Sequence, residues 1–105
     1  VSALPWRGVD ARAELRSLEA TLSGRIESTH EALLAGAKAG AFHVTADGRV
    51  SEACIAQLLG VAPGTMRNRR REGRAPPHYR VGGAGHGVTY RLDEVARWIE
   101  VCREN

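Results

Sequence analysis

The chain has only two cysteines, Cys54 and Cys102, in 105 residues. That is too few for a disulfide framework, and their separation fits no metal-ligand spacing. They read as reduced core or surface thiols of a cytosolic protein. The histidines, His30, His43, His78 and His86, are scattered and form no ligand cluster. No metal and no other cofactor is therefore expected. No run of about 18 apolar residues exists, so no membrane partner is expected either. A charged-then-apolar leader of the secretory type is also missing. The expected location is the cytoplasm, in association with the nucleoid.

Acidic charge is missing from one stretch in particular. Residues 61–91 hold seven Arg and a single acid, Glu72, although the whole chain carries only +3. Residues 1–50 hold six basic and six acidic side chains and net to zero. A block of this kind implies an anionic partner, nucleic acid or a membrane surface, against the plainer reading of a solvated charged face. A hydrophobic fraction of 43% is enough for a modest core. The length suits one compact domain with a helical extension.

The organisation is in two parts, 1–49 and 50–105. Residues 1–8 read as an irregular arm. Residues 9–39 lack Pro and are rich in Ala, Leu, Glu and Arg, which favour helix. Leu15, Leu18, Leu22, Ile26 and Leu33 fall on one face. Gly24 could bend or break this helix, at about 1 kcal/mol relative to Ala. The apolar stripe can pack on the rest of the chain or on a copy of itself. Between residues 40 and 50, Asp47-Gly48 signals a tight turn. Phe42, Val44 and Val50 flank it, which fits a short hairpin or an extended linker.

The segment after Val50 is more specific. Ser51 is suited to cap a helix, because its hydroxyl can accept from a free N–H of the first turn. Ile55, Leu58 and Leu59 recur at helical spacing, and Gly60 stands where a helix ends in a left-handed residue. Pro63 suits the first position of a second helix, where its missing N–H costs nothing. That helix runs through Thr65, Met66, Arg67, Asn68, Arg69, Arg70 and Arg71 and stops near Gly73. Two short helices joined by about three residues form the helix-turn-helix pattern. With Met66 inward, Gly64, Thr65, Arg67, Asn68 and Arg71 lie on outer faces. Arg can bind guanine through two hydrogen bonds, Asn can do the same with adenine, and a Thr methyl can meet the thymine methyl. Gly64 would allow close backbone approach to a phosphate at the helix start. Arg69, Arg70 and Arg74 are expected to neutralise phosphates, or in part to lie over the core.

Ala75-Pro76-Pro77 ends the helical stretch. Tyr79-Arg80-Val81 and Val88-Thr89-Tyr90 read as two strands around the loop Gly82-Gly83-Ala84-Gly85-His86-Gly87. Arg80, His86 and Arg91 on such a wing could reach the DNA backbone or minor groove. The loop is no nucleotide-type phosphate loop, since no Lys-Ser/Thr follows it. Asp93 is expected to cap a last helix with the stripe Val95, Trp98, Ile99 and Cys102, placing Trp98 in the core.

The runs Val50-Ser51 followed by Ala56-Gln57-Leu58-Leu59-Gly60-Val61-Ala62-Pro63-Gly64-Thr65-Met66-Arg67, then Arg71-Glu72-Gly73-Arg74-Ala75-Pro76-Pro77, Arg80-Val81-Gly82-Gly83 and Tyr90-Arg91-Leu92-Asp93-Glu94-Val95-Ala96-Arg97-Trp98-Ile99 resemble the excisionase/AlpA-type domain. That family belongs to the wider MerR-like winged-helix group. The resemblance covers about half of the chain. It implies a recognition helix in the major groove and a wing on an adjacent groove or the backbone. It also implies roles in recombination directionality, in regulation of phage or integrated elements, or at the DNA-recognition end of a small terminase subunit. This chain departs from the family at Ala62, where Ser or Thr is usual, at Arg69, where Trp is frequent, and in its longer wing loop.

The fold expected is mainly α with a small β-hairpin wing, a winged helix-turn-helix preceded by an N-terminal helical segment. The function expected is sequence-specific binding of double-stranded DNA, as a homo-oligomer or cooperative array, with an integrase or terminase as a further partner. The candidate DNA-binding residues are Gly64, Thr65, Arg67, Asn68, Arg70, Arg71, Arg74, Arg80 and His86. No Ser/His/Asp, Cys/His or paired-carboxylate constellation can be placed, so no enzyme is expected. The reading from another class is a protein-interaction adaptor that uses the 9–39 helix.

Overall fold

A 29-residue helix leads the chain. In the computed structural model, which describes residues 11–80 and 87–103, α1 spans Ala11–Ala39 without interruption. Gly24 does not end it: the helix continues on both sides of a position that packs against nothing. The second half of α1 is part of the core, with Leu33 and Ala37 buried. Its first half is not: residues 11–21 are all exposed. The expected stripe is therefore divided between core and solvent.

After α1 the chain turns sharply. Phe42 N–H donates to the Ala37 carbonyl and Gly40 N–H to that of Gly36. The Asp47-Gly48 signal marks a real turn, with Gly48 at φ +80° and its N–H donating to the Thr45 carbonyl. The turn leads into a strand, β1 (Arg49–Ser51), where the sequence suggested a linker or local hairpin. β1 lies across the 49/50 division drawn from sequence. It pairs antiparallel with β3 (Val88–Arg91), which also pairs antiparallel with β2 (Tyr79–Arg80). The order is β1-β3-β2, and Val50 and Tyr90, register partners, both face the core.

Ser51 ends β1 and caps α2 (Glu52–Leu59), its hydroxyl accepting from Cys54 N–H at 3.2 Å. Gly60 ends α2 at φ +73°, the left-handed conformation that favours glycine. Pro63 opens α3 (Pro63–Arg71) after an Ala62 that has no side chain to cap with. The punctuation read from Ser51, Gly60 and Pro63 is thus the punctuation of the structure. Glu72 ends α3, and Gly73 follows at φ +71°.

Two expectations about the last helix are corrected. α4 spans Leu92–Val101, and its N-cap is Arg91, not Asp93. Asp93 lies inside the first turn, where a carboxylate still suits the helix dipole. The earlier start follows from Leu92, whose N–H donates to the Gly48 carbonyl and whose side chain is fully buried. The stripe is shifted accordingly: Leu92, Val95 and Ala96 are buried and Ile99 packs beside them. Trp98 is half-buried at the surface, lining a shallow groove with Pro77, Arg97 and Val101, and Cys102 is exposed.

The core joins Leu33 and Ala37 of α1 to Val50, Cys54, Ile55, Ala56, Met66, Tyr90, Leu92, Val95 and Ala96. α1 lies against α4, fastened at the far end by Glu100. Its carboxylate accepts from Arg25 Nε at 3.2 Å and from Thr29 Oγ1 at 2.8 Å. α1 also approaches α2 closely, since a Cβ on Gly36 would come within 2.8 Å of Leu58 Cδ2. Among the described residues, no helix is long and apolar enough to cross a membrane.

The division of α1 has a measurable consequence. Leu33→Ala is expected to cost about 3 kcal/mol in urea unfolding. Leu18→Ala, at a residue 59% exposed, is expected to change stability by less than about 0.5 kcal/mol at low protein concentration.

Candidate nucleic-acid interface

α3 has nine residues, so each side chain belongs to a definable face. Met66 is fully buried and sets the inward direction. Gly64, Thr65, Arg67, Asn68 and Arg71 are exposed. At about 100° per residue these five share the side opposite Met66. This is the grouping expected from the sequence. No acid is interleaved with it, the nearest being Glu72 just past the helix. Gly64 has open space where a Cβ would stand, so the backbone there can be approached closely.

The arginines of α3 have three different environments. Arg67 and Arg71 project into solvent. Arg69 is half-buried. Arg70, expected to meet phosphate, is turned inward and is only 14% exposed. Its Nε donates to Glu52 Oε2 at 2.8 Å and its Nη2 to Glu52 Oε1 at 3.2 Å. The Tyr90 hydroxyl donates to the same Oε2 at 2.8 Å. This two-pronged pair, with its third donor, ties α3 to the first turn of α2 and to β3. Arg70 is thus committed to holding α3 and is withdrawn from the outward face. Its inward turn follows from helical geometry, since Arg70 is one turn beyond Met66 on the same side.

The electrostatics follow from this geometry. The hydrogen bond from Arg70 holds the Glu52 carboxyl below its ordinary value, assisted by the Tyr90 hydroxyl and opposed by partial burial. The Arg70 guanidinium is pushed upward, chiefly by its bond to Glu52. Burial, followed by the bond to Glu52, raises the Tyr90 phenol far above its usual range, so it remains a donor. Burial likewise raises the Cys54 thiol, keeping it protonated.

The remaining candidates lie elsewhere. Arg74 is past the end of α3, its side chain 70% exposed and 3.8 Å from Glu72. A pair this open contributes little and leaves the guanidinium available. Arg80 is exposed on β2, at the edge of the sheet and on a different element from the α3 group. His86 and most of the Gly-rich loop, Val81 to Gly85, lie outside the described residues, as does the arm at 1–8. Arg91 faces Asp93, with Nη2 to Oδ2 at 3.0 Å.

Glu52 and Arg49, two further charged residues, carry no mark of their own in the sequence that singles them out. Glu52 carries the brace on Arg70, but the two are 18 positions apart, and nothing in a single sequence marks that pairing. Arg49 donates from Nη1 to Thr89 Oγ1 at 3.2 Å and pairs with Asp47 at 2.8 Å, fastening β1 to β3. The Asp47-Gly48 turn was the available signal, since it places Arg49 at the start of a strand. Among the described residues, no group of three or more His, Cys, Asp or Glu side chains could hold a metal ion.

No known family model, no curated protein and no solved structure matches this chain.

The brace makes stability depend on pH in one direction. Because the folded-state Glu52 carboxyl titrates below its unfolded value, its contribution is complete above the ordinary carboxylate range. It is lost as pH falls through that range and then through the lowered folded value. Glu52→Gln is expected to cost about 2 kcal/mol at neutral pH, since it leaves the inward-turned Arg70 without its counter-charge. The variant should also lose part of the acid sensitivity expected in the urea midpoints of the parent protein between about pH 5 and pH 3. Equal acid sensitivity in both proteins would show that Glu52 does not carry it.

Proposed function

We propose that this chain is a sequence-specific, non-enzymatic binder of double-stranded DNA, built as a winged helix-turn-helix of the excisionase/AlpA-type. In this reading α2 and α3 form the helix-turn-helix, and α3 is the recognition helix. The β2–β3 hairpin is the wing. The observation that carries the reading is the outward face of α3. It presents Arg67, Asn68 and Arg71, with Thr65 and Gly64, and no acid among them.

The physical fit is direct. A helix with its side chains is about 10–12 Å across, and the major groove of B-DNA is about 12 Å wide. Arg67 and Asn68 have the donor and acceptor sets that discriminate guanine and adenine edges. Arg71 and Arg74, near the C-terminal end of the helix, suit phosphates, which position the protein without reading sequence. Arg80 at the sheet edge suits the backbone beside the wing. Arg70 has no place among the contacts in this proposal. It holds the recognition helix at a fixed angle to α2 and the sheet, which preorganises the face that meets DNA.

A role in recombination directionality, or in regulation of a phage or integrated element, accords with the family resemblance. The DNA-recognition end of a small terminase subunit accords with it equally. The cytoplasmic, nucleoid-associated location is part of the same proposal.

Binding to duplex DNA should weaken steeply with salt, because each neutralised phosphate releases counterions. Arg74→Ala is expected to lower the salt slope by about one unit. Arg67→Ala combined with Asn68→Ala should remove preference for a selected site while non-specific binding persists. The measurement is a fluorescence-anisotropy titration at several salt concentrations, using a site obtained by selection from random duplexes. Duplex affinity that does not change between low and moderate salt would rule the reading out.

A further inference from the structure

The apolar seam of α1 is filled only in part. From Leu22 onward it is covered: Leu22 is half-buried, Ile26 packs beside the core and Leu33 is inside it. Before Leu22 it is bare. Leu15 is 58% exposed and Leu18 is 59% exposed, on a segment that touches nothing else in the protein core. The bare part continues the face that α4 already covers, so it is the open end of an established helix–helix interface.

The spacing of the bare part is regular. Ala11, Leu15, Leu18 and Leu22 are separated by four, three and four residues, the alternation of a two-helix seam. We propose that this segment, Ala11 to Leu22, pairs antiparallel with the same segment of a second copy of this chain.

Size and charge select that occupant and that direction. In the antiparallel arrangement, Leu15 of one copy packs on Leu18 of the other in the two central layers. Ala11 of one copy meets Leu22 of the other in the two end layers. The small Ala11 thus arrives where Leu22 is already half-covered by its own chain, so the overlap ends where the bare segment ends. The flanking charges agree. Arg12 of each copy lies beside Glu19 of the other, giving two attractive pairs related by the two-fold axis. A parallel arrangement would instead bring Glu14 of each copy beside Glu19 of the other, giving two repulsive pairs.

The overlap is about 18 Å long, at 1.5 Å per residue. It buries less than the roughly 1,200 Å² of an independently stable interface. The association is therefore a concentration-dependent equilibrium. It requires no DNA, so it stands or falls separately from the reading above.

Sedimentation equilibrium of the full chain without DNA, from about 10 to 500 μM, tests it. The weight-average mass is expected to rise from monomer toward dimer across this range. Leu15→Glu with Leu18→Glu should remain monomeric throughout, with an unchanged thermal midpoint at low concentration because both residues are exposed. Arg12→Glu should weaken association about fivefold, from two like-charge contacts of about 0.5 kcal/mol each. Adding Glu19→Arg to it should restore the original association. Three results would overturn the proposal: a monomer at the highest concentration, a dimer insensitive to the double-Glu variant, or a charge swap that fails to restore association.

Discussion

One carboxylate holds together the half of the molecule formed by α2, α3 and the sheet. Glu52, in the first turn of α2, accepts two hydrogen bonds from Arg70 of α3 and one from Tyr90 of β3. Three elements that meet through a small core are thereby locked in angle as well as in distance. Apolar contacts alone tolerate sliding, since they are non-directional. A two-pronged guanidinium–carboxylate pair does not, because its parallel bonds fix a plane. α3 is short, has no side-chain N-cap and contributes a single fully buried side chain, Met66. Without the brace little else would set its rotation, and the rotation decides which residues face outward.

The brace also sorts a run of similar residues. Arg67, Arg69, Arg70 and Arg71 are close in sequence and alike in chemistry, yet one is outward, one half-buried, one committed inward and one outward. An Arg block read as a uniform positive patch overstates the charge available to a partner by the amount Glu52 neutralises. It understates the precision with which the rest is presented.

Much of the local structure is legible in the sequence because it depends on residues close together. Ser51, Gly60 and Pro63 announce where α2 and α3 begin and end, and each does so through its own backbone chemistry. The outward group on α3 follows from periodicity once Met66 is placed. What escapes depends on distant partners. β1 is three residues long and is recognisable as a strand only through β3, some forty positions later. The start of α4 is set by the Leu92 N–H reaching the Gly48 carbonyl, which moves the cap from Asp93 to Arg91 and displaces Trp98 from the core. The inward turn of Arg70 follows from its helical phase, but its purpose is visible only with Glu52 in place. The long apolar stripe of α1 is correct as a periodicity. Whether a leucine on it is covered depends on how far α4 extends, which the stripe itself does not encode.

Ser51 carries a consequence for how this half of the molecule opens. The same residue closes the β1 ladder opposite Thr89 and accepts a free N–H of the first turn of α2, that of Cys54. Strand and helix share it with no intervening loop, so neither can fray at that junction without loosening the other. Amides on either side of Ser51 then belong to one cooperative unit and exchange with solvent through a common opening. The junction behaves as a rigid corner that opens as a whole or not at all.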